Sequence, residues 1–402
     1  MSRVEIMTGN QAAALGARLA RVQVVAAYPI TPQTSLTEAL AQFIESGEMK
    51  AEYVRVEGEH SALSVCIAAS TVGARAFTAT SANGLLYMHE QIHWAAGSRL
   101  PIVMCCVNRG VGAPWTILND QQDSISQRDT GWIQLYCRDN QEIIDTVIQA
   151  FRIAEAVYVP VMVCYDGFVL SHTLMPVEIP DAERVDAFLP PYRPHTILSE
   201  ADPRTINPVM FADPRENAAG VLGDGYMEMR YKLAGALTEA LKTIQDVSDE
   251  YARLFGRNHG GLLWEYKTED AEVILTGMGS IANEATIAAD ILREKGMPAG
   301  VVGIRTYRPF PVEAITHAFR KAKSIHCLEK ALSYGFAGPI YTDLRAALYG
   351  SGCEAVMHDY IASLGGRDIQ PDTIAQVVFE RVIKPEADGR FHAPLWINCR
   401  TE

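Results

Sequence analysis

Short, continuously apolar runs alternate with helical spacing along this chain, and that alternation constrains the fold most. The runs lie at residues 22–27, 76–80, 101–107 and 159–164. Helical spacing separates them at 9–19, 57–71, 85–96 and 141–156. A strand that is apolar on both faces belongs inside a sheet covered on both sides, and strands alternating with helices make that sheet parallel. The pattern breaks at about residue 172. Prolines then crowd the chain, at Pro190-Pro191, Pro194, Pro203, Pro208 and Pro214. This reads as a long extended connection that wraps a neighbouring surface. A long amphipathic helix follows, with Leu233, Leu237, Leu241, Ile244, Val247, Tyr251 and Leu254 on one stripe. A second α/β unit begins near Asp270, with strands at 271–276, 299–304, 324–328 and 354–359 and helices at 283–295, 311–323 and 339–349. At 402 residues the chain exceeds one typical core, and two domains are expected.

Composition narrows the function classes. A net charge of −13 argues against a nucleic-acid partner, which needs a basic face. No apolar stretch approaches a membrane span, and the N-terminus has no signal pattern, so a cytoplasmic protein is expected. The eight cysteines form no C-x-x-C pair and mostly sit in apolar runs, such as Val103-Met104-Cys105-Cys106. They read as buried, reduced thiols, and an iron–sulfur cluster held by this chain alone is not expected.

Three further motifs invite chemical readings, and a zinc peptidase through His89 and His93 remains a remote alternative. His89-Glu90-Gln91-Ile92-His93 fits H-E-x-x-H, in which two histidines one helical turn apart ligate zinc. A zinc peptidase also needs a third ligand, and nothing downstream marks one. Gly223-Asp224-Gly225 with Asn258 imitates a diphosphate–magnesium motif, but it leads from a proline-rich segment into one uninterrupted helix. Gly277-Met278-Gly279-Ser280 suits either an anion cradle or a plain strand–helix turn.

One constellation does carry chemistry. The apolar run ending at Ala27 stops at Tyr28-Pro29-Ile30-Thr31-Pro32, before helical spacing at Leu36, Leu40 and Phe43. This predicts a helix with Thr31 at its N-cap and Pro32 at its first position, aiming free N–H groups and a hydroxyl at one point. Glu57-Gly58-Glu59-His60-Ser61-Ala62 follows an apparent short strand, and Asn108-Arg109-Gly110 follows another. Loops at the carboxyl ends of parallel strands face one crevice. That crevice would hold a hydroxyl, a carboxylate and a guanidinium.

These pieces, with Thr78-Ala79-Thr80-Ser81 before Gly84-Leu85, Leu100-Pro101-Ile102-Val103, Asn119-Asp120-Gln121-Gln122-Asp123, Asp166-Gly167-Phe168 with Ser171-His172, Arg308-Pro309-Phe310-Pro311 and Leu364-Gly365-Gly366-Arg367-Asp368, run in one order over nearly the whole chain. In that order they resemble the alpha subunit of the 2-oxoacid:ferredoxin oxidoreductases of the pyruvate synthase type. The resemblance implies an α/β fold: a thiamine-diphosphate pyrimidine-binding-type parallel-sheet domain at 1–171, a proline-rich linker and long helix at 172–258, a smaller transketolase C-terminal-like domain at 259–385, and a tail at 386–402.

The resemblance also implies thiamine-diphosphate chemistry. Glu59 would hydrogen-bond the cofactor's aminopyrimidine ring nitrogen, and Pro29 would contact the cofactor. Thr31 and Arg109 would hold the substrate's carboxylate and carbonyl, with Tyr28 lining the same pocket. Arginine suits a carboxylate through charge-assisted, potentially bidentate bonds. The expected reaction is oxidative decarboxylation of a 2-oxoacid to acyl-CoA and carbon dioxide, with coenzyme A as co-substrate. Partner chains would supply the rest: a beta subunit for the cofactor diphosphate and its magnesium, a gamma subunit, a ferredoxin-like delta subunit for the iron–sulfur clusters, and in some assemblies a flavin subunit. Ferredoxin or NAD would take the electrons. Pyruvate is the default substrate, and phenylglyoxylate or a branched-chain 2-oxoacid is the alternative. Asn83, where relatives often carry Gln, and Trp115, beside the Arg109 loop, are the departures that bear on specificity.

Overall fold

The computed structural model of the chain describes residues 3–192, 226–384 and 393–400. Its first part contains β1 (Arg3–Met7), α1 (Gly9–Leu19), β2 (Val24–Ala27), α2 (Thr34–Glu45), β3 (Glu52–Arg55), α3 (Glu59–Thr71), β4 (Ala76–Thr80), α4 (Ala82–Tyr87) and α5 (His89–Gly97). The chain continues through β5 (Val103–Asn108), α6 (Gln122–Ile125), β6 (Ile133–Tyr136), α7 (Asn140–Val157), β7 (Val161–Asp166), β8 (Met175–Ile179) and α8 (Ala182–Phe188). After α9 (Tyr226–Phe255) come β9 (Leu263–Tyr266), β10 (Val273–Gly277), α10 (Ser280–Glu294), β11 (Ala299–Ile304), β12 (Thr306–Arg308) and α11 (Val312–Phe319). The last elements are β13 (Ser324–Glu329), α12 (Pro339–Leu348), β14 (Val356–Ile361), α13 (Pro371–Ile383) and β15 (Leu395–Trp396).

The first sheet has seven strands in the order β12-β6-β7-β5-β4-β2-β3. All but β12 run parallel. Every residue of β4, β5 and β7 is buried, which is why these strands read as unbroken apolar runs. From β2 the chain first adds β3 on one side and then β4 on the other, so strand order reverses beside β2. A crevice at the carboxyl ends is expected at such a point.

Helix α7 fixes the back of this sheet. Asp139 caps it by accepting the Glu142 N–H, and Tyr158 ends it in the left-handed region at φ 52°. Ile143, Ile144, Val147, Ile148, Phe151 and Ile153 are all fully buried, because α1 and α9 cover the face turned away from the strands. The second sheet runs β15-β14-β13-β10-β11-β9, parallel except for β9.

Four sequence expectations change. The start of the proline-rich connection is ordered structure: β8 pairs antiparallel with β1, and α8 follows. Pro194, Pro203, Pro208, Pro214 and Gly223-Asp224-Gly225 lie outside the described residues, as do positions 386–392 of the tail. The single helix expected at 85–96 is two helices broken at Met88. Three residues of the second half, β12, cross over to pair with β6 in the first sheet. Helix α2 starts at Thr34, two residues later than expected, with Gln33 at its N-cap.

Candidate active site

The late start of α2 has a tertiary cause. The Gln33 side chain is buried and donates to the Ala79 carbonyl of β4 at 2.9 Å, while its Oε1 accepts the Ile30 N–H. Asn10 of α1 donates to the Pro32 carbonyl at 2.7 Å and to Ser35 Oγ at 2.8 Å. Tyr165 OH holds Asn10 in turn, at 2.8 Å. The Tyr28–Pro32 turn is thus tied to α1 and β4, and its backbone is not free to wind into the first turn of α2. Thr31 is therefore not the helix cap. It stands exposed in the turn with Tyr28 and Pro29, past the carboxyl end of β2.

Glu59 opens α3 directly after its N-cap, Gly58. It is 8% exposed, and among the described residues no side chain donates to its carboxylate or pairs with its charge. Burial pushes its carboxyl above the ordinary carboxylate range, against the pull of its own backbone N–H. Gly84 of α4 makes room for it: a Cβ there would lie 2.5 Å from Glu59 Oε1 and 2.7 Å from Thr80 Oγ1. Thr80 Oγ1 and Ser81 Oγ nearby are buried without a partner among the described residues.

Arg109 follows β5 and is 6% exposed. Its Nε donates to the Thr116 carbonyl at 2.9 Å and its Nη1 to the Thr31 carbonyl at 2.8 Å. Trp115, 75% exposed, lies with its ring centroid 5.8 Å from the guanidinium. No carboxylate forms an ion pair with Arg109 among the described residues. Burial lowers its proton affinity, and the more distant charge of Asp123 offsets part of this.

Asp123 links these parts. Its Oδ2 accepts the Ala82 N–H at 2.9 Å and the Arg109 N–H at 3.0 Å, and its Oδ1 takes Asn108 Nδ2 at 2.7 Å. Asn83 Oδ1 accepts the Gly112 N–H at 3.1 Å. Helix α4 therefore touches Glu59 on one side and carries the Arg109 loop on the other. Thr31 and Arg109 meet directly, whereas Glu59 joins them only through α4. Asn10 and Gln33 carry no expected role in the sequence, and Asp123 enters there only as the last residue of the Asn119–Asp123 motif. The available signals were a polar residue on the alanine-rich stripe of α1 and a five-residue polar run, 119–123, most of which is buried.

The second sheet reaches the same end of the first. Lys330 Nζ donates to Asp166 Oδ2 at 3.0 Å and to Ser280 Oγ at 2.9 Å, and the Ser280 N–H also binds Asp166. Ser280 opens α10, so the glycine-rich turn before it seats the carboxylate of the chain's own Asp166. His89 and His93 meet edge to face at 4.9 Å, and His89 Nδ1 lies 2.6 Å from Gln127 Oε1. Among the described residues no three His, Cys, Asp or Glu side chains are grouped to hold a metal ion. No described helix is long and apolar enough to cross a membrane.

Residues 15–249 match the family described as pyruvate flavodoxin/ferredoxin oxidoreductase, thiamine diphosphate-binding, and residues 271–374 match the pyruvate:ferredoxin oxidoreductase core domain II. The pyruvate synthase subunit PorA of Methanothermobacter thermautotrophicus is 43% identical over 401 residues, 99% of each chain. The chain belongs to the 2-oxoacid:ferredoxin oxidoreductase family, as an alpha subunit. A second relative in this family, the ketoisovalerate oxidoreductase subunit VorA of Pyrococcus horikoshii, is 46% identical over 366 residues, 90% of each chain. The 2-oxoglutarate:ferredoxin oxidoreductase from Magnetococcus marinus, solved with 2-oxoglutarate, coenzyme A and succinyl-CoA bound, shares the fold at a TM-score of 0.71 and 20% identity. That likeness covers 94% of this chain and 65% of the other. The alpha subunit described here is thus part of a thiamine-dependent, multi-subunit oxidoreductase acting on 2-oxoacids.

Proposed function

We propose that this alpha subunit supplies the substrate-holding and pyrimidine-holding half of a 2-oxoacid oxidoreductase site, with pyruvate as substrate. One observation carries the reading. A carboxylate, Glu59, and a guanidinium, Arg109, are buried past the carboxyl ends of β3 and β5, on either side of α4, and neither forms an ion pair among the described residues. Burying ions unpaired is costly, so such groups fit a site whose partners arrive with the ligands.

The residues fit thiamine diphosphate at these strand ends. Glu59 has raised proton affinity, suited to sharing a proton with a ring nitrogen. The absence of a side chain at Gly84 leaves that carboxylate accessible, and Pro29 stands past the carboxyl end of β2. When bound, the cofactor supplies a carbon nucleophile and an electron sink for decarboxylation. The chain's own residues do the positioning. Arg109 keeps Nη2 for the substrate carboxylate while two carbonyls lock its other nitrogens. Thr31 offers a hydroxyl beside it, and Tyr28 lines the entrance. Beta, gamma and delta subunits hold the diphosphate with magnesium and the iron–sulfur clusters. Coenzyme A takes the acyl group, and ferredoxin, or NAD through a flavin subunit, takes the electrons.

A second reading is supported by the VorA relative, at least as similar as PorA: a branched-chain 2-oxoacid in the same pocket. The test is coenzyme A-dependent viologen reduction by the co-expressed complex with pyruvate, 2-ketoisovalerate and phenylglyoxylate. The highest kcat/KM with pyruvate is expected, and a clear preference for either other acid overturns the substrate assignment.

A further inference from the structure

The loop that carries Arg109 is held from outside the first sheet. The Gly110 N–H donates to the Leu118 carbonyl at 3.0 Å and closes residues 110–118 into a loop. The Arg109 side chain is bonded to that loop through Thr116. Below it lies the turn Ser363–Gly366, which follows β14 in the second sheet. Gly366 donates its N–H to the Asn119 carbonyl at 2.7 Å. The Gly365 N–H lies near enough to the Asp120 carboxyl to hold its proton affinity down, and a Cβ on Gly110 would lie 3.1 Å from Asp120 Oδ2. Gly365 and Gly366 have φ of +59° and +69°, a conformation that favours glycine. A Cβ on Gly366 would lie 2.7 Å from Leu118 Cβ, so the turn presses directly on the base of the loop.

These contacts form one path: Gly365-Gly366, then Leu118–Asp120, then Gly110 and Thr116, then Arg109. We propose that the Gly365-Gly366 turn is a positioning element for Arg109, setting the guanidinium against the carboxylate of the 2-oxoacid without touching it. The proposal rests on Arg109 holding that carboxylate. It gives the second α/β unit a part in substrate affinity.

The experiment uses the co-expressed complex with Gly366→Ala, Leu118→Ala, Arg109→Lys and the Gly366→Ala/Arg109→Lys pair. Leu118 is 41% exposed, so Leu118→Ala leaves the core intact and stands in if Gly366→Ala does not assemble. Two quantities are read: KM and kcat for the 2-oxoacid and for coenzyme A, and calorimetric affinity for oxamate, an unreactive carboxylate analogue. Displacing a group through a contact network changes affinity by about tenfold. Gly366→Ala and Leu118→Ala are expected to raise the 2-oxoacid KM and weaken oxamate by about that factor, with kcat and the coenzyme A KM nearly unchanged. The double variant should fall well short of the product of the single effects. Unchanged 2-oxoacid KM in assembled Gly366→Ala or Leu118→Ala complexes, or fully multiplicative effects in the pair, overturns the proposal. Arg109→Lys with unaltered KM and oxamate affinity instead overturns the substrate role of Arg109 on which it rests.

Discussion

Glu59, Arg109 and Asp120 are charged or ionisable side chains placed where the protein gives them little water. Arg109 is legible in the sequence, because a charged residue just past a continuous apolar strand marks the carboxyl edge of a parallel sheet, whereas Glu59 follows a short, partly polar strand and its role is implied by the family resemblance. The role expected for Thr31 as helix cap was not realised. Its neighbour Gln33 finds a buried carbonyl partner on another strand, and that long-range bond cannot be seen in local spacing. Asp120 makes a residue-scale prediction. Burial and the charge of Asp123 push its carboxyl up to about 7, against the N–H groups of Gln122 and Gly365 and the charge of Lys330. An unfolded aspartate ionises near the ordinary 3.8. The folded chain therefore binds more protons than the unfolded one between about pH 4 and 7, and stability contributed by the protonated group is lost as pH rises through that window. Three units correspond to roughly 4 kcal/mol at most. Asp120→Asn should flatten the stability profile over this range, measured by urea unfolding at several pH values. Parallel profiles for the two proteins contradict this account of Asp120.

Among elements, α7 is the hub, and its contacts show where sequence patterns stop informing. Its apolar spacing predicts a helix, and one forms. The pattern does not reveal that Glu142, a polar residue in that helix, is fully buried against Arg305 from the second half of the chain, at 2.8 Å. Arg305 also donates to the Gly261 carbonyl, to Thr146 Oγ1 and to Gln149 Oε1, so its donors are well satisfied. Three residues further on the chain completes β12, too short to leave a period-two signal, which borrows its register from β6. Breaking a buried ion pair strands the surviving charge, at a cost of about 3–5 kcal/mol. Arg305→Met is expected to destabilise toward the lower end of that range, because Glu142 keeps the Arg138 N–H at 2.9 Å and the Arg138 guanidinium at 3.9 Å. The double variant Arg305→Met/Glu142→Leu should be less destabilised than the single one, because no charge is left behind. Chemical denaturation of both decides the point, and equal or greater loss in the double variant contradicts the pairing argument.

Across the whole molecule, loops of the second sheet meet the carboxyl ends of β5 and β7. Lys330 and Ser280 hold Asp166 at the end of β7, and the Gly365-Gly366 turn holds the loop beyond β5. Burial alone would raise the Asp166 carboxyl, but the Lys330 charge and the Ser280 bonds outweigh it and keep it below the usual range. The carboxylate thus ionises readily and joins the two units. Their existence was readable from the alternation of strands and helices. Their interlock was not, because it depends on single side chains meeting across more than a hundred residues of sequence. Glu59 is proposed to serve the cofactor's ring, and that role is open to direct test. The most direct measurement is 2-oxoacid- and coenzyme A-dependent viologen reduction by the co-expressed complex, wild type against Glu59→Gln, with assembly verified for both. Loss of a positioned proton-sharing group predicts a fall of at least about a hundredfold in kcat. Activity within a few-fold of wild type in the assembled variant would contradict the assignment of Glu59.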